Sequence, residues 1–318
     1  MTLVGKDIDT AAALLNSNQV IAIPTETVYG LAGNALNPAV VKKIYEIKNR
    51  PLSNPLIIHL SDTTQLNKFV KNIPALAEKL AEHFYPGALT LLLPKKEIIP
   101  DIVTAGLQNV AVRIPSHPLA TQLLRKLSFP LAAPSANPFG YISPTSAEDV
   151  KRILFGKIDY IFDGGICQKG IESTIIGFQN NQAILYRHGS ISVEEIESVT
   201  GKLIIAAKNE TTPDAPGMLS KHYAPNTKTL ITNDVKKSIR IFSSKKIGLL
   251  LFHQKISDTT VLYQEILSPS KNLKQAASNL YAALHRLDKC KLDMIIAERL
   301  PDEGLGITIN DRLERATK

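Results

Sequence analysis

The residues of this 318-residue chain that could do chemistry fall into seven short segments, several of them just after apolar runs of strand length. Pro24-Thr25-Glu26-Thr27-Val28-Tyr29-Gly30 packs hydroxyls, a carboxylate and a phenol into one turn. The plainer account is a polar turn with capping threonines. Lys48-Asn49-Arg50-Pro51-Leu52-Ser53-Asn54 offers two cations and an amide to a polyphosphate, although cations also suit the C-terminal end of a helix. On the phosphate reading, Lys48 and Arg50 are expected to face solvent until the ligand arrives. His59, near a strand end, reads equally well as a satisfied core histidine. Arg113, inside the apolar run Val112 to Pro115, is costly to bury without an anion. That anion is either a structural partner such as Glu26 or a substrate carboxylate. Ser135, Asn137 and Ser143 lie in the run Pro134 to Thr145 and could donate to phosphate, beside the amides of a helix starting near Ser146. Ser143 and Thr145 could instead only cap that helix. Gly170 to Thr174 and Leu185 to Gly189 carry weaker signals. Ala215 to Met218 and His222 to Pro225 place aromatic and proline residues where a passive tether needs neither.

Several chemistries find no support. The chain has no GxxxxGK[ST] loop, no GxGxxG, no GxSxG and no HExxH. Two cysteines, Cys167 and Cys290, stand far apart, so neither a zinc knuckle nor a disulfide framework is expected. The seven histidines show no metal-ligand spacing, and no protein ligand for a metal can be named. Lysine plus arginine exceed aspartate plus glutamate by 37 to 29, a net +8 that suits phosphates or RNA but also serves solubility. No run approaches the roughly 18 apolar residues of a membrane span. The start MTLVGKDIDT does not read as a signal peptide, and a cytoplasmic protein is expected.

The elements that must position these segments alternate. A helix over 11–18 precedes a buried strand over 20–23. Asn37-Pro38 opens a helix that continues through Val41, Ile44 and Ile47. Strands are expected at 56–60, 90–93, 110–114, 131–133, 160–162, 173–176 and 183–186, with helices at 75–84 and 118–127. Thr145 and Glu148 form a capping box for a helix ending near Leu154. Residues 1–205 thus read as one large α/β domain. Residues 206–228, with three prolines and little periodicity, read as a linker or lid. Residues 229–318 read as a smaller α/β domain. Its buried strands at 246–252 and 293–297 suit a parallel sheet, and Leu273, Ala277, Leu280, Leu284 and Leu287 form one helix face.

Taken in order, the segments resemble the YrdC-like family of threonylcarbamoyl-AMP synthases in its long, two-domain form. The resemblance rests on PTETVYGL at 24–31, KNRP at 48–51 with Asn54 and His59, AVRIP at 111–115, PSAN and SPT within 134–145, GIEST at 170–174, and APGMLSKHYAP at 215–225. The ending GLGITINDRLERA is similar to the close of that family's second domain. The fold implied is a YrdC-like twisted open-sheet α/β domain followed by a smaller Rossmann-like α/β domain. By likeness, Thr27, His59, Arg113 and Ser173, with backbone near Ala133, contact threonine. Arg50, Asn54, Asn109, Ser135, Ser143, Arg187 and Tyr223 contact ATP. Lys48, Arg50, Ser135 and Asn137 match the family's catalytic KxR and SxN signature. Phe139 replaces a usual serine, His188 a usual proline and Ala215 a usual serine, while Asn109 stands where a hydroxyl residue is common.

The resemblance implies carboxylation of the threonine amine by bicarbonate, then attack of the carbamate on the α-phosphate of ATP with loss of pyrophosphate. Magnesium is expected on the ATP. The product would serve threonylcarbamoyladenosine modification of tRNA, with tRNA or tRNA-modification proteins as partners. Two other readings compete: an RNA-binding protein without catalysis, and the carbamoyl-transfer module of hydrogenase maturation, which shares the fold but usually adds cysteine-rich zinc fingers. No catalytic constellation is visible in the second domain, so support of a lid or contact with a partner is expected there.

Overall fold

The computed structural model describes residues 1–207, 215–218, 223–258, 261 and 263–318. Its strands are β1 (Leu3–Gly5), β2 (Ile21–Ile23), β3 (Gly30–Asn34), β4 (Ile57–His59), β5 (Leu89–Pro94), β6 (Asn109–Arg113), β7 (Leu131–Ala132), β8 (Tyr160–Phe162), β9 (Thr174–Gln179), β10 (Gln182–Arg187) and β11 (Ile204–Ile205) in the first region. The second region holds β12 (Lys228–Thr232), β13 (Ile247–Leu251), β14 (Tyr263–Ile266) and β15 (Met294–Glu298).

Among the described residues, the first eleven strands form one mixed sheet in the order β1-β8-β2-β3-β7-β4-β6-β5-β9-β10-β11. Short apolar strands such as Ile21–Ile23 are buried at every residue, as expected when helices cover both faces. β4, β6 and β7 lie side by side, with Ile58 opposite Val112 and Ala132. β4 and β6 are parallel and end side by side at His59 and Arg113, whereas β7 runs antiparallel to β4, so the loop that follows it leaves beside Ile57. The other four strands form a wholly parallel sheet, β12-β15-β13-β14, in line with the sequence.

The helix Pro38–Lys48 starts as expected, with the Asn37 side chain accepting from the Ala39 amide at 3.0 Å. Its apolar stripe runs through Val41, Ile44 and Tyr45, and Lys48 falls on the same stripe. The capping expectation at 145–148 is displaced by one residue. Ser146 is the N-cap of the helix Ala147–Leu154, and its hydroxyl accepts from the Asp149 amide at 3.1 Å. Sequence spacing alone did not separate two adjacent hydroxyl residues, each followed three positions later by an acid.

The two sheets are not packed independently. One buried apolar cluster joins Val28, Ile142 and Ile171 of the first region to Leu280, Tyr281 and Leu284 of the helix Leu273–Asp288. Gly170, at φ +69°, lets that helix approach; a Cβ there would collide with the Ser278 backbone. The linker's 208–214 and 219–222, including His222, lie outside the described residues.

Candidate active site

Six segments from the first region converge on one cavity, together with parts of the linker. Its lining includes Thr27, Arg50, His59, Arg113, Ala133, Ser135, Ser173, Arg187 and Tyr223, all singled out from the sequence. Lys48, Asn54, Asn137 and Ser143 sit immediately behind the wall. Asn109 does not join them. It is exposed at the start of β6, paired with Pro94 in the ladder.

One half of the cavity suits an amino acid. Thr27 Oγ1 lies 2.8 Å from Thr25 Oγ1 and accepts from Arg113 Nη1 at 2.8 Å. Arg113 Nη2 also approaches Glu26 Oε1 to 2.7 Å, an ion pair without an aligned hydrogen bond. Of the two partners open from the sequence, Glu26 is therefore the one in place. Each terminal nitrogen of Arg113 still carries a second N–H for a further acceptor. His59 is only 2 % exposed, and its Nδ1 is buried without a hydrogen-bond partner. Burial, then the charge of Arg113, pushes its pKa down to about 3, so it is a neutral imidazole at neutral pH. Ser173 Oγ is 2.7 Å from Thr90 Oγ1.

The other half suits a polyphosphate, but the cations are not arranged as the sequence suggested. Lys48 is 1 % exposed and Arg50 8 %, so the expectation that both face solvent is wrong. Lys48 lies on the buried stripe of its helix, and its Nζ donates to the carbonyls of Ser135 and Asn137. It ties down the PSAN loop from behind. Burial, then the neighbouring Arg50, depresses its pKa. Arg50 donates from Nε to the Asn54 carbonyl at 3.0 Å, and from Nη2 to Asn54 Oδ1 at 2.6 Å and the Pro55 carbonyl at 2.7 Å. Burial pushes Arg50 down to about 10, which leaves it a cation at neutral pH. Arg187 reaches the Ser173 carbonyl from both Nε (3.1 Å) and Nη2 (2.8 Å) and the Pro216 carbonyl from Nη1 (3.2 Å). These bonds rigidify the cations before any ligand binds, which is the preorganisation that phosphoryl chemistry needs.

The linker takes part. Pro216, Gly217 and Tyr223 line the cavity, and the Ala224 amide donates to the Gly140 carbonyl at 2.8 Å. Tyr223 is buried, stacked on Tyr281 with ring centroids 5.8 Å apart. Sequence reasoning left unassigned a further lining residue, Glu172, and its partners in the second region, Tyr281 and Arg312. Ser143 Oγ donates to Glu172 Oε1 at 2.7 Å, while Tyr281 Oη and Arg312 Nε donate to Oε2 at 2.9 and 3.0 Å. The signal available was only a buried-looking acid inside GIEST and an Asp-Arg pair in an otherwise apolar helix stripe.

No group of three or more histidine, cysteine or acidic residues suited to a metal occurs among the described residues. Both acids at the site are already engaged by arginines, Glu26 by Arg113 and Glu172 by Arg312.

Known proteins give an independent comparison. A family model named for Sua5, YciO and YrdC, and described as telomere recombination, matches residues 13–189. A second, the C-terminal domain of threonylcarbamoyl-AMP synthase, matches residues 191–317. The threonylcarbamoyl-AMP synthase of Pyrococcus abyssi is 39% identical, over 98% of this chain and 94% of its own length. That of Bacillus subtilis is 42% identical, over 97% of this chain and 92% of its own length. The crystal structure of P. abyssi Sua5 complexed with L-threonine superposes with a TM-score of 0.92 at 38% identity, covering 100% of this chain and 97% of that one.

Proposed function

The chain belongs to the Sua5/YciO/YrdC family in the form that carries the threonylcarbamoyl-AMP synthase C-terminal domain, and on that premise we propose how its cavity makes threonylcarbamoyl-AMP. It is a nucleotidyl-transferring enzyme, in keeping with the threonylcarbamoyl-AMP synthase name of its relatives, and threonine and ATP are its substrates. The observation that carries the assignment of roles is the meeting of two unlike half-sites in one cavity. A neutral histidine and hydroxyls suit an amino acid, and fixed guanidinium groups suit phosphates.

Threonine is held by Arg113 and Thr27, with Ser173 and the backbone at Ala133 alongside. Neutral His59 meets its amine or hydroxyl through the unpartnered Nδ1. The threonine ammonium gives up a proton, the amine nitrogen bonds to the bicarbonate carbon, and a C–O bond breaks with loss of water. A carbamate oxygen then attacks the α-phosphorus, the bond to the β-phosphate oxygen breaks, and pyrophosphate departs. The carboxylate of the carbamate is itself the nucleophile, so the chain needs no serine or cysteine for attack. Arg50 and Arg187 neutralise phosphate charge, and Lys48 acts by holding Ser135 and Asn137 in place. Asn54 orients Arg50, and Ser143, behind the wall, acts on the nucleotide through its hydrogen bond to Glu172. Asn109, exposed at the end of β6 opposite Arg113, lies outside the cavity and takes no part in this scheme. Mg²⁺ enters on the ATP phosphates as part of the substrate.

The linker serves as a lid. Pro216 and Gly217 bond to Arg187 and Arg315 through their carbonyls, and Tyr223 closes the cavity wall. Exclusion of water protects a carbamate that would otherwise decompose. The product passes to tRNA modification in the cytoplasm, by way of tRNA or tRNA-modification proteins. No described helix is long and apolar enough to cross a membrane.

Pyrophosphate release, measured while omitting threonine or bicarbonate in turn, tests this reading. Release should need both. Valine in place of threonine should be a poor substrate, because the groups that read the hydroxyl would be left unpaired. Release that ignores threonine, or equal use of valine, would overturn it.

A further inference from the structure

The nucleotide half of the cavity is backed by the second region of the chain. Arg312 comes from the helix Leu305–Ala316, more than eighty residues beyond the linker, and its side chain is fully buried. Its guanidinium makes four contacts at once. Nε donates to Glu172 Oε2 at 3.0 Å, Nη1 to Asp311 Oδ2 at 2.6 Å and Nη2 to the His188 carbonyl at 2.6 Å, while its carbon lies 4.6 Å from the centre of the Tyr223 ring. Glu172 and Tyr223 both line the cavity, and Arg312 does not. One guanidinium thus sets the wall residue of the first region and the aromatic residue of the linker relative to each other.

Arginine is the side chain that can do this. Its planar fork fixes several acceptors at once, and its face stacks on an aromatic ring, neither of which lysine offers. Tyr281 supports the same two groups: its hydroxyl donates to Glu172 Oε2 at 2.9 Å and its ring stacks on Tyr223. Burial pushes the Glu172 carboxyl up, but Arg312, then Arg187 and Ser143, outweigh it and hold the group below the ordinary carboxylate value. Glu172 in turn accepts from Ser143, so the chain of contacts runs from the second region into the loop that faces ATP. These contacts of Arg312 do not reach Thr27, His59 or Arg113.

We propose that Arg312 is a positioning residue for the nucleotide subsite, through which the second region fixes Glu172 and Tyr223 in their working arrangement. The proposal rests on the nucleotide role assigned above and gives the second region a part in the reaction without a ligand of its own. It predicts a selective defect. In a folded Arg312→Ala protein, kcat/KM for ATP should fall about 100-fold, the size of effect expected when groups are misplaced by an ångström. Threonine binding by titration calorimetry should stay within about twofold of wild type, a split that general loosening of the fold would not produce. Millimolar guanidinium chloride should restore part of the ATP turnover, and Arg312→Lys should restore less than guanidinium does. A folded Arg312→Ala protein with wild-type ATP kinetics, or with equal losses for ATP and threonine and no guanidinium rescue, overturns the proposal. If Arg312→Ala does not fold, Tyr281→Phe decides, since it deletes one donor to Glu172 and keeps the ring. Its kcat/KM for ATP should fall roughly tenfold with threonine binding unchanged, because the mispositioned carboxylate is shared with Ser143; unchanged ATP kinetics overturns the proposal. The wild-type omission experiment keeps this apart from the functional reading: an active wild type with normal variants sinks only the role of Arg312.

Discussion

Arg50 shows how a buried cation differs from the solvent-facing one expected of a phosphate clamp. Three of its hydrogen bonds go to Asn54 and Pro55, so it is both charge and scaffold. Replacing it removes the charge proposed to meet the phosphates and takes a donor from Asn54 Oδ1 and the Pro55 carbonyl, while the Asn54 carbonyl keeps its bond from Tyr45 Oη. Arg50→Ala should therefore cost roughly 2–4 kcal/mol of transition-state stabilisation. It should also cost about 1–3 kcal/mol of folding stability for the orphaned acceptors. Steady-state kinetics with ATP and a urea melt on the same protein measure the two losses. An active variant with full stability would show that Arg50 does neither job. Arg50→Lys keeps the charge but not the fork, so it should recover little of either.

The linker works as an element although it has no regular structure where it is described. Its Pro216 and Gly217 carbonyls are bound by Arg187 and Arg315, and Tyr223 sits at positive φ, 66°, under Arg312. A passive tether would not bury an aromatic side chain between two regions. The expected consequence is that Tyr223→Ala raises unproductive ATP hydrolysis relative to threonylcarbamoyl-AMP, because water reaches the carbamate and phosphates. Following nucleoside diphosphate or monophosphate against product by chromatography reads this ratio. Limited proteolysis within 206–226 should slow when ATP and threonine are both saturating. Normal product ratios together with unchanged cutting would reduce the linker to a tether.

Stability of the molecule as a whole should depend on pH through His285, which sits between the two regions. Arg152 Nη2 can only donate, so the 3.1 Å contact makes His285 Nδ1 an acceptor. The proton then lies on Nε2, which donates to the Ser143 carbonyl at 3.2 Å. Burial is the largest influence; Asp149 opposes it, Arg152 adds to it, and the pKa falls to about 4 from an ordinary 6.5. The unfolded chain therefore binds a proton that the folded one does not between these values. This contribution is fully present above about pH 6.5 and is lost as pH falls towards 4, amounting to about 3 kcal/mol. His59 acts in the same direction, with a folded value of about 3. Thermal melts should give a Tm that drops from pH 7 to pH 5, with a shallower slope for His285→Gln. Identical slopes for the two proteins would remove His285 from the account.

Much was legible without the fold, and the limits have physical reasons. Apolar periodicity located the helix Ala75–Phe84, the strands around Ile57–His59 and Asn109–Arg113, and the parallel character of the second sheet, because local burial patterns are written into adjacent residues. Asn37-Pro38 announced its helix through short-range capping chemistry alone. The ordered motifs also brought together most of the residues that line the cavity. Burial of Lys48 was present in its spacing from Val41 and Ile44, but a charged side chain on an apolar stripe declares its partners only when the Ser135 and Asn137 carbonyls arrive from a loop some ninety residues away. The same holds for Arg113, which meets Glu26 and Thr27 only because a strand end reaches a turn. Arg312 is the extreme case. Its role depends on Glu172, His188 and Tyr223, which lie in three separate segments. Sequence determines what each residue can donate, accept or bury; only the packing of the two sheets determines which of those groups meet.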